Sequence, residues 1–173
     1  MIMTGQSFCD ATPCLARKES IETFASKFAA DIGYELGGPL DPVVQKLGGK
    51  IIYQDMTELG DSADASVRVF GKGNFEIYLP NFTTSERDRF SIAHEIGHYV
   101  LHYPLKNQPM KAARFGSNRV EWEANWFAAG FLMPADAFRK FFAKEGGRLG
   151  SVAAHFRVSL AAAEARAKTL NLL

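Results

Sequence analysis

Apolar and polar positions alternate along the chain with two different periods, and these periods predict both helices and strands. Between residues 18 and 32 the apolar residues recur every three or four positions, which is typical of an amphipathic helix. Gly and Pro then interrupt this pattern. Residues 41–47 (DPVVQKL) predict a short second helix, which begins with Pro42 in its first turn and ends at Gly48 and Gly49.

Three short runs of β-branched and aromatic residues follow, and each is bounded by turn-forming residues. They are KIIYQDM (50–56), ASVRVFG (65–71) and FEIYLP (75–80). The segment GKGN (71–74) predicts a hairpin turn between the second and third runs. We expect a small, largely antiparallel sheet of about three strands. FEIYLP is expected to be an edge strand that can pair with an extended peptide, with an ordinary core strand as the alternative.

The remaining chain is predominantly helical in pattern. A helix is predicted from about residue 84 to 103, with a capping box formed by Thr83 and Glu86 and a stop at Pro104. A second strong helix is predicted from Val120 to the residue before Pro134. The tail predicts a helix in ADAFRKFFAKEGG (135–147) and two short helices in the last 25 residues.

The helix predicted over 84–103 contains the sequence His94-Glu95-Ile96-Gly97-His98. Residues four apart lie on one face of a helix with side chains about 6 Å apart, so His94 and His98 can bind one zinc ion. Glu95 can then act as general base on the water that zinc activates for attack on a carbonyl. The alternative is a helix that carries this pattern by chance, which the presence of only four histidines in the chain disfavours. We predict a zinc site with a catalytic base.

His102 continues the four-residue spacing of the other two histidines. Residues eight apart on a straight helix are separated by about 12 Å along its axis, so His102 cannot share the ion bound by His94 and His98. It is expected either to line the cleft beyond the metal or to be a surface histidine, and the surface position is favoured.

The third zinc ligand must come from another part of the chain, because Leu101 and Pro104 occupy the glycine and histidine positions of the long zinc signature HExxHxxGxxH. Glu121 and Glu123 are the candidates, and they point about 200° apart on a helix. Asn125, an amide expected among apolar residues, lies on the same face as Glu121. We therefore predict Glu121 as the ligand and Asn125 as the partner of one imidazole, with two solvated acids as the alternative.

A further group is expected to stabilise the oxyanion that forms during peptide hydrolysis. The sequence does not choose among the candidates, which are Tyr99, His102, Tyr103, Arg114 and Arg119.

Composition and charge narrow the class of protein without naming a partner. The 20 Lys and Arg residues against 19 Asp and Glu give a net charge of +1, which does not indicate nucleic acid or an acidic membrane surface. The chain has no 18-residue apolar segment and no secretory signal pattern, so we predict a cytoplasmic protein without a membrane span. Cys9 and Cys14 lack a second Cys/His pair and are expected in an exposed, flexible leader over residues 1–17 rather than at a zinc site.

Two segments together resemble the ImmA/IrrE family of zinc metallo-endopeptidases. They are RFSIAHEIGHYVLH (89–102) and VEWEANWFAAGFLMP (120–134), and PLDPVVQKLGGKIIYQD (39–55) resembles the helix and strand that precede them in that family. The resemblance implies a gluzincin-like zincin core, with zinc held by His94, His98 and Glu121 and with Glu95 as general base. It also implies that the substrate is a helix-turn-helix transcriptional repressor in a mobile element or a stress response.

These observations predict an α+β fold in which the sheet packs on the HExxH helix. We expect a leader over 1–17, a zincin-like metallopeptidase domain over 18–138 and a C-terminal helix-turn-helix-like segment over 139–173. That segment carries seven Lys or Arg residues and two acids. It is either a DNA-binding module or a packed helical pair, and the alanine-rich second helix favours the packed pair.

The predicted function is that of a zinc-dependent endopeptidase that cleaves a protein partner. The alternative is a zinc-stabilised regulatory or DNA-binding protein that sequesters a repressor without cleaving it. The presence of Glu95 favours the enzyme, since a protein that only binds its partner needs no base.

Overall fold

Helices and a sheet are both present in the computed structural model, which describes residues 6–55, 66–113 and 116–173. The helices are α1 (Lys18–Asp31), α2 (Asp41–Lys46), α3 (Ser85–Leu101), α4 (Tyr103–Lys106), α5 (Arg119–Leu132), α6 (Ala135–Lys144), α7 (Leu149–Phe156) and α8 (Leu160–Thr169). The strands are β1 (Cys9–Asp10), β2 (Gly49–Gln54), β3 (Val67–Gly71), β4 (Asn74–Pro80) and β5 (Met110–Ala112). The fold is therefore α+β, as predicted. No helix in the described ranges has the length and apolarity to cross a membrane.

The described strands form one mixed sheet in the order β1-β5-β3-β4-β2. The predicted hairpin is confirmed, since β3 and β4 pair antiparallel around Lys72 and Gly73. The prediction of a largely antiparallel sheet of three strands was wrong, because β2 pairs with β4 and β1 with β5 in parallel. Strands as short as β1 and β5 show no hydrophobic period, so the sequence pattern does not predict them. Which strands pair in parallel depends on packing between segments that are far apart in the chain. Met56 and Ala65, at the ends of two predicted strands, lie outside the described residues.

Strand β4, which contains FEIYLP, is an interior strand, so the expectation that it forms a sheet edge was wrong. It hydrogen-bonds to β3 on one side and to β2 on the other. Phe75, Ile77 and Leu79 alternate along it and are all buried in the core. Because both sides of its backbone are already paired, β4 has no free edge to offer a peptide.

Residues 6–17 of the expected leader contact the rest of the fold. Cys9 and Asp10 pair with β5, and the backbone N–H groups of Cys14 and Leu15 each donate to the Glu123 carboxylate at 2.8 Å. Both cysteines are partly buried rather than exposed. Every residue except proline has a backbone N–H group, so the sequence does not indicate which of these groups will bond to Glu123. Residues 1–5 of the predicted leader lie outside the described residues.

Helix α5 packs against both α1 and α3, and two glycines allow these close approaches. A β-carbon on Gly130 would lie 2.6 Å from the backbone oxygen of Glu22 in α1. A β-carbon on Gly97, in α3, would lie 3.1 Å from the side chain of Phe127 in α5. The absence of side chains at these crossings brings α3 and α5 together along the residues that form the candidate site.

Helix α3 begins one residue later than its predicted capping box. Thr84, and not Thr83, is the N-cap, and its hydroxyl accepts a hydrogen bond from the backbone N–H of Arg87. Thr83 instead bonds to Asp88 through its side chain.

The C-terminal helices α6, α7 and α8 form at the predicted positions and add apolar residues to the core. Their buried members include Phe138, Val152, Phe156, Ala163 and Ala167. Arg166 of α8 is buried, pairs with Glu22 of α1 at 2.7 Å, and donates to the backbone oxygen of Met133 at 3.0 Å. These contacts describe a helical pair packed onto the rest of the protein.

Candidate functional site

The candidate site lies where α3 and α5 face each other. Helix α3 supplies His94, Glu95 and His98 at the spacing that one helical face requires. Helix α5 supplies Glu121 from its first turn, and the N-cap Asn118 fixes that turn by accepting from the backbone N–H of Glu121 at 3.2 Å. Each contributing residue is therefore held by a helix rather than by a loop.

Three side chains from the two helices converge on a single point. The Nε2 atoms of His94 and His98 lie 3.0 Å apart. The Glu121 carboxylate reaches both, with Oε2 at 3.1 Å from His94 Nε2 and Oε1 at 3.3 Å from His98 Nε2. Ligand atoms of His94, Glu95 and His98 also lie within 4.8 Å of one another.

This triangle of donor atoms has the dimensions of a zinc site. Ligands bound to one zinc ion at about 2.0–2.2 Å in tetrahedral geometry stand about 3.3–3.6 Å apart. The separations of 3.0–3.3 Å among the three donors are close to that spacing. Two imidazole nitrogens and a carboxylate that converge this closely can share protons or can bind a cation between them. The residues thus fit a divalent metal, and their set of two His and one Glu is a common catalytic zinc set.

The charge states of His98 and Glu121 suit metal binding. Burial lowers the pKa of His98 to about 4, so this imidazole is neutral at pH 7 and keeps a free lone pair. Burial also acts to lower the pKa of His94, but Glu121 and Glu95 outweigh it and the pKa is raised. For Glu121, burial raises the pKa and the two histidines lower it more strongly, to about 2. Glu121 is therefore a carboxylate at any physiological pH.

Glu95 lies next to this triangle without being part of it. Its side chain is buried, on the first turn after His94. A carboxylate in a buried position beside a cation site can hold or release a proton where water is restricted. The arrangement is suited to general base chemistry.

Asn125 contacts His94, though for a different reason from the one the sequence suggested. Its Oδ1 lies 2.8 Å from His94 Nδ1, so the ring can donate there and leave Nε2 free to bind a metal. The amide is exposed and not buried among apolar residues, as the sequence argument assumed. The contact follows from its position four residues after Glu121.

His102 is buried, with 1% of its surface exposed, and the expectation of a surface histidine was wrong. Its Nδ1 lies 3.1 Å from His98 Nδ1, and its Nε2 lies 3.0 Å from Glu123 Oε2. Glu123 thus faces away from the triangle that Glu121 completes. The four-residue spacing between His98 and His102 was the signal in the sequence for the contact between these two rings. Only the packing of α3 on α5 shows that Glu123 is the residue that His102 contacts on its other side.

In the described part of the chain, each candidate for stabilising the oxyanion contacts a group outside the triangle formed by His94, His98 and Glu121. Tyr99 accepts from the backbone N–H of Gly73 at 2.9 Å, Tyr103 is buried and stacks on Tyr99, and Arg119 binds Glu123. His102 lies behind His98. Arg114 lies outside the described residues.

An open apolar groove of about 630 Å³ begins one helical turn before His94. Helices α3 and α5 contribute Phe90 and Trp126 to it, and the C-terminal segment contributes Val158, Ala162 and Ala165. The two helices that form the candidate site therefore also form one wall of the groove.

Comparison with known proteins gives a family and a fold. A family model described as Peptidase_M78, IrrE N-terminal-like domain, matches residues 45–168. The structure is similar to that of a Mycobacterium tuberculosis transcriptional regulator, with a TM-score of 0.58 and 16% sequence identity over 84% of this chain. The chain spans 45% of the length of that regulator. No curated protein matches the sequence.

Proposed function

The chain belongs to the Peptidase_M78 family of IrrE N-terminal-like domains, and from this premise we propose that it is a zinc-dependent endopeptidase with a gluzincin-like core. Its resemblance to the ImmA/IrrE family is thereby confirmed. The observation that carries the proposal is the convergence of His94, His98 and Glu121 on one point, with Glu95 beside it.

In the proposed mechanism His94, His98 and Glu121 would hold the metal, Glu95 transfers a proton, and Asn125 orients a ring. Zinc bound there supplies a Lewis acid that polarises the peptide carbonyl and acidifies water. Glu95 accepts the proton from the attacking water on its carboxylate and delivers it to the nitrogen of the leaving amine. Asn125 holds the His94 ring by accepting from Nδ1–H, so that Nε2 stays available.

We propose that the groove beside the site receives an apolar stretch of a protein substrate. Its lining by Phe90, Trp126 and Val158 favours large apolar side chains, and Phe90 lies one helical turn before His94 on the same helix. We propose a helix-turn-helix repressor as that substrate, on the family resemblance. The similarity to a transcriptional regulator is in keeping with a regulatory role.

We also propose that residues 18–138 form the metallopeptidase domain and that residues 139–173 complete its groove rather than read DNA. Several cations of this segment are already paired. Arg166 binds Glu22, Lys168 binds Glu164, and Arg148 binds Glu145. Arg166 is buried and cannot reach a phosphate, and the acids beside Arg148 and Lys168 reduce the local positive charge, so DNA is not a favoured partner.

The metal is tested first, by elemental analysis of the purified full chain. The proposal requires close to one zinc ion per chain, which a chelator removes and added zinc restores. A chain that binds no divalent metal under these conditions contradicts the proposal.

Cleavage is tested by incubating the full chain with a purified helix-turn-helix repressor, and fragments are identified by mass spectrometry. Wild type with zinc is expected to cut, whereas chelated wild type and Glu95→Gln are not. Glu95→Gln is a matched control because it removes the base and keeps all three metal ligands. A wild-type chain that binds the repressor without cutting it favours sequestration, and a Glu95→Gln variant that cuts normally contradicts the role of Glu95.

A further inference from the structure

A row of buried contacts leads from His98 away from the candidate metal site. His98 Nδ1 lies 3.1 Å from His102 Nδ1, and His102 Nε2 lies 3.0 Å from Glu123 Oε2. The side chains of all three residues have 0% of their surface exposed. Water therefore cannot replace any contact in this row, and each nitrogen must be matched with its neighbour.

The contacts permit one arrangement of protons if His98 binds metal. Its Nε2 is the atom that faces His94 and Glu121, so Nε2 must keep its lone pair and Nδ1 must carry the proton. His102 Nδ1 must then accept, and its own proton sits on Nε2 and is donated to Glu123. The opposite arrangement would place the His98 proton on Nε2 and block metal binding.

Glu123 is fixed firmly enough to set this order. Its carboxylate accepts from the Arg119 Nε at 2.9 Å and from the backbone N–H groups of Cys14 and Leu15 at 2.8 Å each. Arg119 also donates to the backbone oxygen of Ala16. With cation and amide donors around it, Glu123 remains an acceptor toward His102.

We propose that His102 and Glu123 are positioning residues that hold the His98 ring in the tautomer and orientation required for metal binding. The inference rests on the proposed function, because it takes His98 as a metal ligand. Neither residue touches the metal or the substrate. Their effect is on metal affinity, and through it on activity.

We call the row of contacts from His98 through His102 to Glu123 the relay. A pair of variants at residue 102 tests it. His102→Phe keeps the bulk of the ring but offers no acceptor to His98, whereas His102→Asn places an amide oxygen close to the former position of Nδ1. We expect His102→Phe to bind zinc about 10–100-fold more weakly than wild type, and His102→Asn to recover most of that loss. Competition with a chromogenic chelator measures the affinity, and the absorption spectrum of the Co²⁺-loaded protein reports the ligand geometry.

The expected outcome is a weakened affinity and an altered Co²⁺ spectrum for His102→Phe with an unchanged far-UV circular dichroism spectrum. Wild-type affinity in that folded variant would overturn the relay. If His102→Phe does not fold, Glu123→Gln takes its place, with the same expected loss of affinity and the same overturning result.

A second measurement uses the metal-free wild type, so that the relay is judged apart from the metal. Nitrogen-15 NMR of the imidazoles is expected to show the proton of His98 on Nδ1 and that of His102 on Nε2. The opposite tautomer at His98 overturns the relay. A chain that shows the expected tautomers but binds no zinc contradicts the proposed function alone.

Discussion

Gly97 and Phe127 are in contact at the crossing of α3 and α5, and a β-carbon on Gly97 would lie 3.1 Å from Phe127. Gly97 stands between the two histidines of the HExxH sequence. The distance between the helices at this point therefore sets how far Glu121 lies from the imidazoles.

Gly97→Ala is expected to push the helices apart by a few tenths of an ångström. Overpacking costs about 1–3 kcal/mol, which exceeds the gain of up to about 1 kcal/mol in helix propensity, so the metal-free protein becomes less stable. Urea unfolding measures this, and zinc titration should show weaker binding. Gly150→Ala is the control, because nothing lies within 4 Å of its β-carbon position. A Gly97→Ala protein as stable as wild type would contradict the close packing.

Glu121→Gln removes the negative charge of the proposed third ligand. Zinc affinity is expected to fall by more than about 100-fold, since the amide is a poor ligand and the two histidines alone bind weakly. Calorimetric titration measures the affinity. Glu19→Gln, an exposed acid in the first turn of α1, should leave it unchanged. Equal affinities for the two variants would exclude Glu121 as a ligand.

Asn125→Ala removes the acceptor for His94 Nδ1–H. A reduction in zinc affinity of about 10–100-fold is expected, because the ring loses its fixed orientation. Asn125→Asp retains an acceptor and should bind zinc at least as well as wild type. Since residue 125 is exposed, thermal unfolding of the metal-free variants should match wild type. Unaltered zinc binding by Asn125→Ala would refute the orienting role.

Arg166→Met leaves the partly buried Glu22 carboxylate and the Met133 carbonyl without their cationic donor. The free energy of unfolding is expected to fall by about 2–4 kcal/mol. Lys168→Met, at an exposed pair with Glu164, should change it by less than about 0.5 kcal/mol. Chemical unfolding of both variants makes the comparison. If Arg166→Met instead weakened DNA binding without loss of stability, the C-terminal segment would be a DNA-binding module.

The ionisation of Tyr78 is expected to lower the free energy of unfolding as the pH rises in the alkaline range. Burial and the hydrogen bond to Glu76 raise the pKa of Tyr78 from 10.0 to about 12. Between these values the unfolded tyrosine releases its proton while the folded one keeps it, so stability falls as pH rises. The loss is up to about 2 kcal/mol and is fully present only above the folded pKa. Urea unfolding at pH 9 and pH 11 should show a smaller decrease for Tyr78→Phe than for wild type. An equal decrease would assign the pH dependence to other groups.

The sequence by itself determined the parts of the site that depend on local spacing. The placement of His94, Glu95 and His98 on one helix follows from the four-residue repeat. The angular separation of Glu121 and Glu123 shows that they cannot face the same point, and the preference for Glu121 rested on Asn125 four residues later. Helix α5 does direct the two glutamates to different histidines. The hairpin of β3 and β4 and the C-terminal helices were likewise readable, because their signals lie within a few residues.

Only the tertiary structure decided the contacts between distant segments. The burial of His102 depends on Glu123, 21 residues away, and the docking of Cys14 on Glu123 spans 109 residues. The interior position of β4 depends on its parallel pairing with β2, in which Gly49 aligns with Phe75. A local period fixes which side chains share a face, but it carries no information on which face of another element they will meet. That is decided by close packing, here at Gly97 and Gly130, where the absence of a side chain lets two helices meet.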